Sequence, residues 1–219
     1  ENLLRGGIWC LLKIVYDSGQ QQPFIIAKLT PIQVSNIDFD EFKNVRNQFT
    51  RDEWLDLLIQ SCGLEASKFT TREKLLFIVR LIPYVENNFN LVEFGPQETG
   101  KTYIYQELSP YGLLISGGQA SVANLFESHA GRGSVGLVGY KDVIAFDEVA
   151  KVQFKEKLAI DIMKSYMQSG MFSRGKAQRN GKASMVFLGN IEINIEEIQK
   201  TSHLFKPFSE QLQDTALLD

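Results

Sequence analysis

The chain has 219 residues, of which 44% are hydrophobic and 22% are charged, and its formal net charge is −3. This composition predicts a globular protein with one α/β core and a smaller attachment, and it excludes a disordered chain. The acidic balance argues against a protein that coats DNA indiscriminately, although it permits a local basic element.

Two cysteines without metal-ligand spacing and two isolated histidines argue against a zinc site or a histidine-based catalytic site. The sequence contains no signal peptide and no transmembrane run. Together with the cysteine usage, this predicts a reduced cytoplasmic protein without a membrane partner.

The first predicted element is a β-hairpin. Residues 8–16 and 24–34 are rich in β-branched and aromatic side chains, and they flank the polar turn DSGQ. Pro31 within the second run predicts an edge strand or a bend. Because two strands alone are marginally stable in water, we interpret residues 1–36 as the end of an N-terminal β domain that begins before Glu1.

From residue 38 the apolar spacing becomes helical. Apolar residues recur every three to four positions from Phe39 to Phe49, and capping-box sequences at residues 50–53 and 70–73 start two further helices. We expect the aromatic and leucine side chains of this region to form core rather than a ligand-binding set. Residues 37–90 are therefore interpreted as a helical linker.

The stretch LVEFGPQETGKT, residues 91–102, contains the pattern G-x-x-x-x-G-K-[ST] after an apolar strand. Glycines let the backbone curl so that successive N–H groups face one anion, and the following helix offers its positive end. Lys101 is predicted to bind the β- and γ-phosphates of ATP, and Thr102 is predicted to ligate Mg²⁺. The predicted nucleotide-binding residues are Gly95, Pro96, Gln97, Glu98, Thr99, Gly100, Lys101 and Thr102.

A second motif, VIAFDEVA at residues 143–150, is an apolar run that ends in two carboxylates. This pattern is typical of a buried parallel strand whose acids emerge at the carboxyl edge of the sheet. We predict Asp147 as a direct or second-sphere ligand of Mg²⁺ and Glu148 as the base that polarises the attacking water. The alternative, a surface strand end with solvated acids, is disfavoured because the two motifs occur in the order expected of a P-loop ATPase.

Buried strands at residues 111–116 and 183–189 alternate with helices at residues 101–108 and 153–168. This alternation predicts an α/β fold, a three-layer core with a parallel sheet between helices. Together with the two motifs, it resembles the P-loop AAA+ type over residues 91–219. Asn190 follows the last strand, where AAA+ ATPases place sensor 1, a polar catalytic residue that orients the attacking water. The alternative is an asparagine in an ordinary turn.

The segment GMFSRGKAQRNGKAS, residues 170–184, carries four cations and no acid. Asn180-Gly181 is a strong tight-turn signal, which predicts a protruding hairpin before the sensor strand. In AAA+ rings such an insertion faces the central channel, where several copies would form a basic collar around a nucleic-acid backbone. The alternative is a solvated loop. The predicted nucleic-acid contacts are Arg174, Lys176, Arg179 and Lys182.

The chain resembles the BrxL family, the Lon-related AAA+ ATPases of bacterial BREX phage-defence systems. The resemblance is carried by LVEFGPQETGKTY, ELSPYGLLISGG, VGLVGYKDVIAFDEVA, ASMVFLGN and KTSHLFKPF, and upstream by GGIWCLLKIVYD and FTRDEWLDLLIQSCG. It implies an ATPase that forms a homo-oligomeric ring of hexamer type, engages DNA and helps to block phage. It also implies other BREX components as candidate partners, and N-terminal and Lon-like C-terminal domains that are largely missing here.

Two features depart from the usual pattern. Glu98 stands where AAA+ loops usually carry a small residue, and a carboxylate beside bound phosphates is mildly repulsive, so we expect a lowered affinity for nucleotide. The chain stops at Asp219, before the arginine that related ATPases use across the subunit boundary. Because arginine fingers contribute roughly 10³–10⁵-fold in rate, we expect weak hydrolysis by this chain alone.

Two other function classes stay open. A protein unfoldase that serves a protease would use an aromatic pore loop, and Phe172 in the basic segment keeps this alternative open. A nucleotide-gated assembly module that binds partners without translocating them is the other alternative, and no sequence feature excludes it.

Overall fold

The computed structural model of the protein describes residues 10–31, 38–116, 119–120, 125–126, 136–150, 153–154, 157–174, 177–191 and 208. The chain divides into two compact units, Glu1–Leu57 and Leu58–Asp219. This division does not test the predicted domain boundaries after residues 36 and 90, which stay predictions. None of the helices in the described ranges is long and apolar enough to cross a lipid bilayer.

The first unit contains the predicted hairpin. Strand β1, Cys10–Tyr16, pairs antiparallel with strand β2, Phe24–Pro31, and the register shifts once between Lys13 and Ile14. Pro31 is the last residue of β2, so it lies at a strand end, where the missing N–H does least harm to the ladder. Most apolar side chains of both strands are exposed, so the hairpin has no covered face of its own.

Helix α1, Phe39–Arg46, begins after Asp38, whose carboxylate accepts hydrogen bonds from two backbone N–H groups of the first turn. The expectation that its apolar stripe is core is wrong, because no residue of this helix is buried in the chain. Phe42 instead packs edge-on against Trp54, with ring centroids 5.6 Å apart. The apolar spacing therefore predicted the helix correctly but not its burial.

Helix α2, Arg51–Ser61, and helix α3, Thr71–Val79, each begin with the predicted capping box. In both boxes the glutamate carboxylate accepts a hydrogen bond from the threonine backbone N–H at 2.8 Å. The threonine hydroxyl accepts one from the glutamate N–H at 3.3 Å. A short helix α4, Ile82–Val85, follows with Pro83 in its first turn, where a missing N–H loses no intrahelical bond.

In the second unit, four strands of the described part form a parallel sheet. They are β3 Leu91–Gly95, β4 Gly112–Ser116, β6 Val143–Asp147 and β10 Ser184–Asn190, in the order β3-β10-β6-β4 across the sheet. Two smaller pairs are a short parallel one, β5 Gln119–Ala120 with β7 Gln153–Phe154, and an antiparallel one, β8 Met171–Arg174 with β9 Ala177–Asn180. Helix α5, Lys101–Glu107, follows β3, and helix α6, Lys157–Ser169, precedes β8.

Alternate residues of β6 face opposite sides of the sheet. On one side Ile144 and Phe146 pack in a cluster with side chains of α6. On the other side Val143 and Ala145 pack in a second cluster with side chains of α5. All four residues are fully buried, as the continuous apolar run of a central parallel strand requires. These layers confirm the predicted α/β fold with a parallel sheet between helices.

The carboxyl ends of the parallel strands meet at one edge of the sheet, where open α/β sheets bind their ligands. Strands β3, β6 and β10 end there in Gly95, Asp147 and Asn190. Gly189 is needed for the close approach of β10 to β3, because a Cβ at this position would lie 2.5 Å from the ring of Phe94. The topology thus gathers residues that are far apart in the chain.

Candidate nucleotide-binding site

A tight loop connects β3 to α5 and carries the glycine-rich motif. Glu98 and Gly100 adopt left-handed backbone conformations with φ of 62° and 74°. The hydroxyl of Thr99 donates a hydrogen bond of 3.1 Å to the carbonyl of Pro96 and closes the turn. The loop therefore has the curled conformation that its sequence predicts.

Lys101, at the start of α5, is nearly fully buried with 5% of its surface exposed. Its ammonium donates hydrogen bonds to the carbonyls of Gly95 and Pro96 and to the hydroxyl of Thr99. Burial lowers the pKa of this ammonium, and the carboxylates of Glu93 and Asp147 oppose that shift. The acceptors that hold Lys101 are all neutral, so a phosphate group at the loop offers this cation a better partner.

Asp147, the last residue of β6, is held by two hydrogen bonds. Its Oδ2 accepts one of 3.0 Å from the hydroxyl of Thr102, and its Oδ1 accepts one of 2.8 Å from the backbone N–H of Glu148. The sheet and helix α5 thereby bring a hydroxyl and a carboxylate oxygen side by side. Hard oxygen donors of this kind suit Mg²⁺, which is usually bound through one or two protein ligands together with phosphates.

Glu148 follows in the left-handed region with φ of 52°. The next residue, Val149, donates its N–H to the carbonyl of Leu188 on β10 at 3.1 Å, which ties the turn to the neighbouring strand. A non-glycine residue in this conformation is uncommon and is often found at functional sites. The turn places Glu148 at the same edge of the sheet as Asp147.

A cavity of about 420 Å³ lies between the loop and this edge. It brings together Lys101, Thr102, Asp147, Glu148 and Asn190, which the sequence predicted as parts of one site. Its lining residues are Gln97, Glu98, Thr99, Gly100, Lys101, Thr102, Ser116, Asp147, Glu148 and Asn190. The predicted residues Gly95 and Pro96 do not line it; they contribute the carbonyls that hold Lys101. The catalytic and binding roles of these residues stay predictions.

Sequence reasoning missed two features of this region. Ser116 lines the cavity because it ends β4 in register with Asp147, and a polar residue at the end of an apolar run was the available signal.

The second feature is an ion pair. Arg80, which follows α3, forms a salt bridge with Glu93 of β3, two residues before Gly95. Its Nε lies 3.0 Å from each carboxylate oxygen, and both side chains are less than one-fifth exposed. No local pattern in the sequence predicts this pair.

The basic segment forms the hairpin β8–β9, but the predicted tight turn at Asn180-Gly181 is wrong. Arg174 pairs with Ala177, so residues 175 and 176 connect the strands, and Lys176 lies outside the described residues. Gly181 instead approaches helix α6, because a Cβ there would lie 2.6 Å from the ring of Tyr166. Close packing, rather than a turn, explains this glycine.

The described cations of the segment differ in their surroundings. Arg179 is partly exposed on β9, whereas Lys182 forms a 3.1 Å salt bridge with Asp142. Phe172 of β8 is buried and packs against Phe126 with ring centroids 5.0 Å apart. The aromatic side chain that kept the unfoldase alternative open is therefore part of the core in this chain.

Comparison with known proteins agrees with this geometry. A family model described as Lon-like protease BrxL-like, ATPase domain, matches residues 24–219. The chain is 50% identical over its whole length to the Lon-like protease BrxL of Escherichia coli O9:H4 (strain HS), and 48% identical to that of Bacillus cereus (strain H3081.97). It spans about a third of the length of these relatives, 32% and 33%. The chain therefore belongs to the BrxL-like family of Lon-like proteases and carries its ATPase domain.

Proposed function

We propose that the chain binds ATP with Mg²⁺ and hydrolyses it as the core of a ring-forming, DNA-engaging ATPase in cytoplasmic BREX phage defence. The observation that carries the nucleotide part is the meeting of Lys101, Thr102, Asp147, Glu148 and Asn190 around the same cavity. Membership of the BrxL-like ATPase family supports ATP hydrolysis. The proposal of a ring rests on the family resemblance, and the proposal of DNA engagement rests on that resemblance and on the basic hairpin.

Binding begins at the loop. Lys101 exchanges its neutral hydrogen-bond acceptors for the β- and γ-phosphates, and the backbone N–H groups of the loop cradle the same anion. Thr102 and Asp147, whose side chains share a hydrogen bond, are the residues that would hold Mg²⁺. When bound, the cation neutralises charge on the phosphates.

Hydrolysis then requires a positioned water. Glu148 accepts a proton from this water, and Asn190 orients it from the end of the neighbouring strand β10. The hydrogen bond from Val149 to Leu188 fixes the backbone turn that carries this base, with Glu148 in the left-handed region, before substrate arrives. Such preorganisation favours the transition state because no rearrangement of the base is needed during the reaction.

The first test is binding by Lys101. ATP with Mg²⁺ at one hundred times its dissociation constant is expected to stabilise the fold by about 2.7 kcal/mol, and Lys101→Ala is expected to remove most of this effect. The measurement is the unfolding temperature with and without nucleotide. Lys141→Ala is the matched control, since the Lys141 ammonium also donates to a backbone carbonyl, that of Pro110 at 2.8 Å, but does not line the cavity. An unchanged shift in folded Lys101→Ala protein contradicts the assignment.

The DNA part of the proposal is supported by the hairpin's place in the chain and by its charge. Strands β8 and β9 directly precede β10, so the hairpin joins the start of the strand whose other end, Asn190, lines the cavity. The segment carries no acid, and phosphate backbones are bound mainly through such cations. The burial of Phe172 leaves the unfoldase alternative without its specific support.

The test is the salt dependence of DNA binding by the full-length protein. Alanine replacements of Arg174, Lys176 and Arg179 are expected to reduce the slope of log K against log [salt] by about 0.9 for each DNA phosphate that the assembly no longer neutralises. Lys182→Ala is expected to change the slope less, because Asp142 already neutralises this cation. The control Lys68→Ala removes an exposed cation from the turn at residues 66–68. Slopes equal to that of wild type in all variants would place the DNA-binding surface elsewhere.

A further inference from the structure

The side chain of Glu98 has no role in the chemistry proposed above, although it lines the cavity. Within the part of the chain that the structure describes, no hydrogen bond or ion pair holds its exposed carboxylate. Its backbone is left-handed with φ of 62°, a conformation that glycine adopts without strain and glutamate does not. A residue that is strained, unpartnered and charged at this position calls for a functional reason.

The charges around the cavity give that reason. Among the residues that the structure describes, its lining contains three carboxylates, Glu98, Asp147 and Glu148, and one cation, Lys101, which is buried. Asp147 is the proposed Mg²⁺ ligand and Glu148 the proposed base, so both are explained by the reaction. Glu98 adds a negative charge at the mouth of a site for a polyanion. This charge repels a nucleotide in proportion to the nucleotide's own net charge.

We propose that Glu98 makes the site discriminate against nucleotide that lacks its divalent cation. Metal-free ATP carries about four negative charges, and Mg²⁺ cancels two of them, so the repulsion from Glu98 falls by about half when the metal is bound. Glu98 thereby lowers the affinity for both forms but lowers it more for the metal-free form. This inference rests on the proposed function, because it concerns the same site.

The experiment compares two substitutions in the full-length protein. Glu98→Gln removes the charge and keeps the side-chain length and the strained backbone, whereas Glu98→Gly removes the charge and the strain. Glu107→Gln is the control, since Glu107 is exposed at the opposite end of α5 and does not line the cavity. Dissociation constants are measured for a nonhydrolysable ATP analogue, in Mg²⁺ and in EDTA, at several salt concentrations.

Glu98→Gln is expected to tighten binding in EDTA by roughly fivefold at low salt, as for one exposed like-charge pair, and to tighten binding in Mg²⁺ by less. The ratio of the two constants therefore falls, and the difference disappears at high salt because exposed charges are screened. Glu98→Gly is expected to change the ratio as Glu98→Gln does, because the left-handed backbone is already present without nucleotide, so relieving its strain raises stability rather than affinity. Glu107→Gln is expected to leave the ratio unchanged.

An unchanged ratio in Glu98→Gln, or weaker binding of the Mg²⁺ form, overturns the inference. Lys101→Ala separates this failure from failure of the proposed function. If Lys101→Ala abolishes binding while Glu98→Gln changes nothing, the site is where we propose and only the role of Glu98 is wrong. If Lys101→Ala binds like wild type, the nucleotide site itself is misplaced.

Discussion

Replacing Glu148 with Gln is expected to lower ATP turnover by roughly 10²–10⁴-fold while ATP binding stays intact, because general-base assistance contributes a factor of that order. The amide keeps the size of the carboxylate but cannot accept the proton of the attacking water. The φ of 52° and the anchoring of Val149 to Leu188 do not depend on the carboxylate, so the turn should persist in the variant.

The measurement pairs steady-state hydrolysis with nucleotide binding in the full-length protein. Asp147→Asn is the informative comparison, because Asp147 accepts the hydrogen bond from Thr102 and is the proposed metal ligand. It should weaken Mg²⁺-dependent binding as well as turnover, whereas Glu148→Gln should affect turnover alone. Turnover near the wild-type rate in Glu148→Gln would remove this residue from the mechanism.

The second large effect concerns stability. Arg80→Met is expected to destabilise the second unit by roughly 2–3 kcal/mol, below the 3–5 kcal/mol of a fully buried pair because both side chains keep some exposure. The substitution leaves the Glu93 carboxylate without its bidentate partner next to the nucleotide loop. For a chain of this size such a loss lowers the unfolding temperature by roughly 4–12 °C.

The double variant Arg80→Met, Glu93→Leu separates the net stabilisation by the ion pair from the cost of leaving the Glu93 carboxylate unpaired. It removes both charges, so it should recover most of the stability lost in Arg80→Met alone. Lys182→Met is the matched control, because it breaks a more exposed pair with Asp142 in the same unit and should change stability by less than about 1 kcal/mol. Equal losses of stability in Arg80→Met and Lys182→Met would show that burial of the Arg80 pair does not increase its contribution to stability.

Much of the site could be predicted from the sequence because its signals are local. The spacing of Gly95, Gly100 and Lys101 within one loop encodes its curled backbone, and the run VIAFDE encodes a buried strand that ends in acids. Once the strands are taken as parallel, their carboxyl ends must share an edge, so the proximity of Asp147 and Asn190 to the loop follows. Capping boxes were predictable for the same reason, since each joins residues three apart.

Contacts between residues that are distant in sequence were decided only by the tertiary structure. Arg80 and Glu93 lie on a helix end and a strand whose packing no short pattern specifies, and the burial of Phe172 depends on Phe126 and Tyr166. Gly181 looked like part of a turn because glycine serves both turns and close packing, and only the ring of Tyr166 distinguishes the two. The sequence by itself thus determined the loop, the strands and the order of the motifs, since adjacent residues encode them. Packing decided which charges are paired and which aromatic side chains are buried, because these depend on neighbours that the fold alone brings together.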